Sequence, residues 1–258
     1  MFQKHFPNHT VSLTIRKVLL VFFLSTTVLS IQLVAIHRPF SGHFATYQSG
    51  MASVARNMLR ENFSEPLRLK TDVVINGKRS LHFNAYLFPA LVAALAVRSV
   101  GGSFEFWGRF HAIVFNFLTA ILLGLIAAQL FHPKVGWVAS VIYSLSPYSL
   151  IYGQSFMLEP MSLFFLLLSF YLLMKIPNSF LVAMWFILFS ALFFSIAVTA
   201  RLHFILLFPV FLLYLVLVTR IPKKISIFLF TLFALLLPIA WFSYTYYVSL
   251  HADNVHTN

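Results

Sequence analysis

Long apolar runs, separated by short polar segments, occupy most of the chain. Seven of these runs are candidate membrane crossings, at residues 18–36, 110–131, 135–151, 160–174, 180–200, 202–218 and 225–248. A helix needs roughly 20 apolar residues to cross the hydrocarbon core of a bilayer. The runs are continuous rather than alternating, which favours helices over barrel strands. The pattern therefore predicts an all-α polytopic membrane protein with about seven transmembrane helices.

Two features of the pattern bear on how these runs cross. As one helix, residues 180–218 would be about 60 Å long, twice the hydrocarbon core, so we expect the chain to reverse near Arg201. The run 85–97 is short for a crossing, because Arg98 ends it after 13 residues. If this run stays on one side, the basic residues of the short loops fall on the cytoplasmic side, with Arg201 as the exception. The positive-inside rule strongly favours that arrangement.

The resulting topology divides the chain into five parts. They are a cytoplasmic N-terminus (1–17), a first transmembrane helix (18–36), a long extracytoplasmic loop (37–108), six further transmembrane helices (109–248) and an extracytoplasmic tail (249–258). The polar tail follows the last run abruptly, so we expect the chain to be the N-terminal part of a longer protein. We expect it to lie in the inner (plasma) membrane of a bacterium, with its N-terminus in the cytoplasm.

The long outer loop carries two further helix signals. Apolar residues recur at helical spacing in its first half, at Tyr47, Met51, Val54, Met58 and Leu59, with polar Arg56, Asn57 and Arg60 opposite them. This amphipathic spacing predicts a helix that lies along the membrane surface. The more apolar run 85–97 predicts a second interfacial helix, and Asn76-Gly77-Lys78 between the two predicts a turn.

The amino-acid composition excludes a soluble globular domain and several kinds of site. Sixty per cent of the residues are apolar and only 9% are charged, whereas soluble domains carry about 25% charged residues. Lipid must therefore solvate most of this chain. The net charge of +12 is explained by membrane topology and anionic lipid, so no nucleic-acid partner is expected. The absence of cysteine excludes disulfides and thiolate metal sites.

Four short stretches resemble one class of membrane enzyme in their order and spacing. They are YQSGMASVARNML at 47–59, LHFNAY at 81–86, FEFWGR at 104–109, and SPY followed by YGQSFMLEP within 146–160. Together they resemble the GT-C class of glycosyltransferases. The resemblance is to the family 39-like branch of protein O-mannosyltransferases, which includes the lipid A aminoarabinose transferases.

The resemblance implies a function and a mechanism. Such enzymes move a sugar from a polyprenyl-phosphate donor to a lipid, glycan or protein acceptor at the outer membrane face. The implied reaction is a single displacement that inverts the anomeric carbon. It needs a base for the acceptor's proton and positive charge for the departing phosphate. A divalent metal or a cationic side chain would supply that charge, and the sequence leaves both open.

Glu159 and Arg201 are the principal candidate site residues. Glu159 directly precedes Pro160 at the predicted start of a helix, where the helix dipole favours an ionised carboxylate. The second-loop acidic residue of the resembling enzymes falls at this position and implies a catalytic role, although a simple helix cap also fits. Arg201 is the one charge between two long apolar runs. It is a candidate for binding the donor phosphate, or a snorkelling residue that touches headgroups.

The loop between the first two crossings supplies weaker candidates. The resembling enzymes begin this loop with an acidic base, but here the corresponding stretch has only His43. Histidine titrates near neutrality, so His43 is either a substitute base or a surface residue. Arg56, Asp72 and His82 are candidate loop contacts. Asn84 stands where some relatives have an acidic residue, which argues against a metal there.

A non-catalytic membrane protein is the alternative, either a transporter or an accessory subunit. Transporters characteristically show repeated halves and broken helices. The sequence has no internal repeat, although Pro209 and Pro238 lie inside predicted crossings. An accessory subunit would tolerate the loss of both Glu159 and Arg201.

Overall fold

The structure, a computed structural model, describes residues 26, 30, 32, 33, 36, 39, 40, 44–75, 77–81, 87–218 and 222–251. This part of the chain is mostly helical. Its helices are α1 (Ala45–Arg60), α2 (Leu87–Val100), α3 (Phe104–Leu130), α4 (Pro133–Leu145), α5 (Pro147–Tyr152), α6 (Glu159–Met174), α7 (Phe180–Ala200), a 3-10 helix (Leu202–Leu207), α8 (Phe208–Val218) and α9 (Lys223–His251). Two short strands, β1 (Lys70–Ile75) and β2 (Lys78–Leu81), form an antiparallel hairpin.

Among the described residues, three helices are long and apolar enough to cross a membrane. They are α3 with 27 residues, α7 with 21 and α9 with 29, so each is about 30 Å or longer. All three fall where the sequence predicts crossings, and they support the prediction of a helical membrane protein.

The other predicted crossings take different forms. The run 135–151 is divided between α4 and α5, because Ser146 ends one helix and caps the next, and Pro147 opens α5. Helix α6 has 16 residues and is about 24 Å long. The run 202–218 combines a six-residue 3-10 helix with the 11 residues of α8. The predicted first crossing, 18–36, lies almost entirely outside the described residues, so a total of seven crossings stays a prediction.

The predicted chain reversal near Arg201 is confirmed. Helix α7 ends at Ala200, and Arg201 takes an extended conformation with φ −144° and ψ 97°. The rings of Phe194 and Phe211 then lie 4.8 Å apart, centroid to centroid. In one continuous helix these two residues would be separated by about 25 Å, so α8 runs back beside α7.

The long helices pack side by side and define two ends. Helix α3 packs against α4 and α6, and α7 packs against α6 and α9. Helices α3 and α6 both finish at one end, where Gln129 donates to the carbonyl of Met174 at 3.2 Å. Lys175 also lies at that end, beside the start of α4 and the start of α7. The start of α6 and the finish of α7 lie at the opposite end, which we call the loop end.

Helices α1 and α2 cover the loop end. One apolar cluster joins Met51, Val54 and Met58 of α1 to alanines of α2, Met161 of α6 and Trp241 of α9. The apolar face of α1 that the sequence assigns to the membrane surface is therefore packed on protein. Asn57, predicted on the polar face, is also buried, because its amide donates to Lys70 O at 3.1 Å and to Asp72 at 3.2 Å.

The sequence pattern predicted the turn of the hairpin but not its two strands. Gly77 has φ +72°, a left-handed conformation that glycine adopts without strain. The buried hydroxyls of Thr71 and Ser80 lie 2.6 Å apart across the strands. The hairpin packs against α1, which is why strands of only six and four residues are held in a largely helical protein.

Candidate functional site

Glu159 and Arg201 form an ion pair at the loop end. Glu159 is the first residue of α6 and is followed by Pro160, while Arg201 caps the finish of α7. Because α6 and α7 are packed antiparallel neighbours, the start of one lies beside the finish of the other. The Arg201 Nη2 atom donates to Glu159 Oε1. The structure thus joins the two principal residues that the sequence proposes separately.

The pair is mostly buried and is incompletely satisfied. The side chains of Glu159 and Arg201 are 20% and 23% exposed. Glu159 Oε2 and Arg201 Nε are both buried and have no hydrogen-bond partner. A buried polar atom without a partner is unfavourable by about 1–3 kcal/mol. One unused acceptor and one unused donor therefore remain where a ligand with both kinds of group would satisfy them.

Tyr47 of α1 packs against the Arg201 side of this pair. Its ring lies under the Arg201 guanidinium, with 5.6 Å between the guanidinium carbon and the ring centroid. Its hydroxyl lies near enough to Arg201 for the two groups to interact. Burial raises the pKa of Tyr47 to about 12, and the positive charge of Arg201 opposes that rise. The phenol is therefore a neutral hydrogen-bonding group at physiological pH.

A further set of aromatic residues lies close to the same pair. Tyr148 lies near enough to Glu159 and Arg201 to interact electrostatically with both. Its ring is 5.0 Å from that of Tyr152, which in turn lies 5.1 Å from Phe44. Helix α5 supplies both tyrosines, so the break at Ser146-Pro147 brings aromatic side chains to the loop end.

The turn that precedes Glu159 is fixed by buried contacts. Phe156 is fully buried, and its backbone amide donates to Gln48 Oε1 of α1 at 3.1 Å. Gly108 of α3 leaves the space that the Phe156 ring occupies, since a Cβ there would overlap the ring. The turn before Glu159 therefore lies at the same end of the helices as α1.

Arg56 and Asp72, two of the predicted loop contacts, pair with each other at 2.6 Å. Both side chains are more than a third exposed. They line a groove of about 690 Å³ that also includes Tyr47 and Glu105. The groove thus adjoins the Glu159–Arg201 pair through Tyr47.

Two predicted site residues, His43 and His82, lie outside the described residues. Within the described segments, no group of three histidine, aspartate or glutamate side chains is placed to hold a metal ion. A cation at Glu159 would also face the Arg201 guanidinium. The described residues therefore do not fit a divalent metal at this pair, and Arg201 is the positive charge found there.

Sequence reasoning gave no functional role to Tyr47, Tyr148 or Glu105. Tyr47 carried an apolar helical signal, and that signal places it in α1 but does not reveal its contact with Arg201. The one sign in the sequence that Tyr47 has a polar neighbour was its own hydroxyl group, which lies on an otherwise apolar face of the predicted helix.

Comparison with known proteins adds no family to this description. No protein-family model matches the chain, and no curated protein matches it with significance. The class that the fold defines is therefore a mostly helical protein, with three helices in the described part of the chain able to span a membrane.

Proposed function

We propose that the chain belongs to a multi-pass membrane glycosyltransferase that uses a polyprenyl-phosphate sugar donor. The observation that carries this proposal is the partly satisfied Glu159–Arg201 pair at the loop end. It sets a carboxylate acceptor and a guanidinium donor side by side. The resemblance of residues 47–59, 81–86, 104–109 and 146–160 to GT-C enzymes supplies the reaction class.

Arg201 is proposed to bind the phosphate of the donor. Guanidinium groups bind phosphate oxygens through several N–H donors in a fixed plane. Glu159 uses one of these donors, and the unpartnered Nε–H remains. Positive charge beside the leaving phosphate would stabilise the charge that develops as its bond to the sugar breaks.

Glu159 is proposed to act on the acceptor. In the transfer, the acceptor oxygen bonds to the anomeric carbon while the bond from that carbon to the phosphate oxygen breaks. The acceptor's proton passes to a base, and the phosphate leaves with the electron pair of the broken bond. Glu159 Oε2 is a buried carboxylate oxygen without a hydrogen-bond partner, and His43 remains the second candidate base. The acceptor is a lipid, glycan or protein at the outer face.

A non-catalytic role, as a transporter or accessory subunit, is the competing proposal. One observation favours it, because Glu159 and Arg201 neutralise each other and would stabilise the helix ends without any substrate. In the catalytic proposal, Glu159 Oε2 and Arg201 Nε bind the substrates, whereas in the non-catalytic proposal they bind none.

The test is a transfer assay with the purified full chain in lipid and a radiolabelled polyprenyl-phosphate sugar. Glu159→Gln keeps the shape of the side chain but removes the base, and we expect transfer to fall at least 100-fold. Arg201→Lys keeps one charge but removes the planar donors, and a similar loss is expected. Glu65→Gln is the matched control, since Glu65 is an exposed carboxylate outside the Glu159–Arg201 pair.

Transfer by the parent and the control, with loss in both site variants, supports the proposal. Normal transfer by both site variants would refute the assignment of these residues. Absence of transfer by the parent chain, with donor present and the protein folded, would favour the non-catalytic role.

A further inference from the structure

The groove beside α1 has the dimensions and lining of a ligand site. Its volume of about 690 Å³ falls within the range of roughly 300–1,000 Å³ that is typical of small-molecule pockets. Aromatic side chains form part of its wall, at Phe40, Phe44 and Tyr47, and hydroxyl groups of serine and threonine form another part. Nothing in the catalytic proposal above uses this lining.

Glu105 is the distinctive side chain of the groove. It lies in the first turn of α3, where Ser103 caps the helix by accepting from the Phe106 amide at 3.1 Å. Among residues 44–75, 77–81, 87–218 and 222–251, no lysine or arginine forms an ion pair with Glu105. The other carboxylate of the groove, Asp72, is paired with both Arg56 and Arg60.

The charges of the described lining indicate which ligands fit. Arg56 and Asp72 neutralise each other, so Glu105 leaves the lining with one net negative charge. A phosphate-bearing group would therefore find no unpaired cation in the described lining. Aromatic faces, hydroxyls and a carboxylate acceptor together suit an uncharged ligand that is rich in hydroxyl groups.

We propose that this groove binds an uncharged saccharide and that Glu105 accepts a hydrogen bond from one of its hydroxyls. The saccharide's apolar ring faces would pack on the aromatic wall. That this saccharide is the acceptor of the transfer rests on the proposed function. Tyr47 connects the two regions, because it lines the groove and also contacts Arg201. Binding itself does not depend on transfer.

Gly50 allows the groove to be closed without disturbing the fold. It lies inside α1 and lines the groove, and a Cβ added there would meet no atom within 4 Å. A leucine at this position would project into the open space and occupy part of it. Either alanine or leucine also favours a helix more than glycine does, so loss of binding would not reflect loss of the helix.

The experiment measures saccharide binding by saturation-transfer NMR, with the full chain in nanodiscs that contain no sugar headgroup. The probes are four neutral oligosaccharides of different stereochemistry: maltotriose, lactose, mannobiose and xylobiose. Glucose 6-phosphate is the anionic probe. We expect binding of at least one neutral probe and none of the anionic one. Glu105→Gln should weaken that binding about tenfold, since hydrogen bonds to a charged acceptor are the stronger ones.

The matched variants determine the outcome. Gly50→Leu should abolish binding and Gly50→Ala, with its smaller side chain, should weaken it less, whereas Glu65→Gln, outside the lining, should leave it unchanged. If no neutral probe binds, or if Gly50→Leu and Glu105→Gln bind as the parent does, the groove proposal is overturned. Saccharide binding without sugar transfer would refute the proposed function and leave the groove proposal standing. Sugar transfer without saccharide binding would refute the groove proposal and leave the proposed function standing.

Discussion

Glu159 and Arg201 lie 42 positions apart in the chain, yet their side chains form an ion pair where α6 begins and α7 ends. The pair is possible because α6 and α7 are antiparallel and adjacent. It brings one of the six acidic residues of the chain into contact with the arginine at which the chain reverses.

The first prediction concerns the stability of this pair. Glu159→Ala and Arg201→Ala each leave a largely buried charge without its partner, so each should lower the free energy of unfolding by roughly 2 kcal/mol. The double variant, Glu159→Ala with Arg201→Ala, should lose less than the sum of the two single losses. Unfolding of the lipid-reconstituted protein measures all three. Strictly additive losses would show that the two side chains are not coupled.

A second prediction separates the two interactions of Tyr47. Tyr47→Phe keeps the ring under the Arg201 guanidinium but removes the hydroxyl, so it should lower stability by about 1 kcal/mol near pH 7. Tyr47→Leu also removes the cation–π contact and should lower it further. Equal stability of the two variants would mean that the ring contributes nothing through Arg201.

Because the pKa of Tyr47 is raised, the effect of Tyr47→Phe on stability should depend on pH. The folded chain holds this proton more tightly than the unfolded chain, since the pKa rises from 10 to about 12 on folding. This contribution to stability is fully present below pH 10 and is lost as the pH rises through 12. We therefore expect Tyr47→Phe to show a smaller loss of stability than the parent between these values in a pH series of unfolding measurements.

A third prediction compares two glycines. Gly108→Ala would place a methyl group where the buried Phe156 ring lies, so the turn before Glu159 must shift. Such overpacking typically lowers stability by about 1–3 kcal/mol. Gly50→Ala adds the same methyl group in open space and should be neutral or stabilising. Thermal unfolding of the two variants makes the comparison, and equal melting temperatures would contradict the described packing.

A fourth prediction tests sidedness. The chain has no cysteine, so single cysteines can be labelled without a background. Ser64→Cys and Lys78→Cys should react with an impermeant maleimide from outside the cell, whereas Lys134→Cys and Asn178→Cys should react only after the membrane is opened. All four positions are exposed. Labelling of residues 64 and 134 from the same side would refute the predicted topology and the outer-face site with it.

The sequence pattern located the elements better than their contacts. The continuous apolar runs placed α3, α7 and α9 correctly, because the length and hydropathy of a membrane-spanning helix are local properties. The charge at Arg201 and the excess length of 180–218 also located the reversal. The break at Ser146-Pro147 was missed, although Pro147 at the first position of α5 is a local helix-start signal.

The candidate site was only partly accessible to the sequence. Glu159 and Arg201 were identified as separate residues from their positions beside apolar runs. Their pairing, the contact of Tyr47 with Arg201 and the groove around Glu105 each join residues from different elements. Periodicity along one element carries no information on such contacts.

The sequence by itself determined that the chain is largely apolar and helical, and it determined where the long helices lie, since these follow from hydropathy and length along the chain. Only the tertiary structure decided which polar groups meet at the loop end. It did so because the antiparallel packing of α6 and α7, and the burial of α1 on protein rather than lipid, bring together side chains that are distant in sequence.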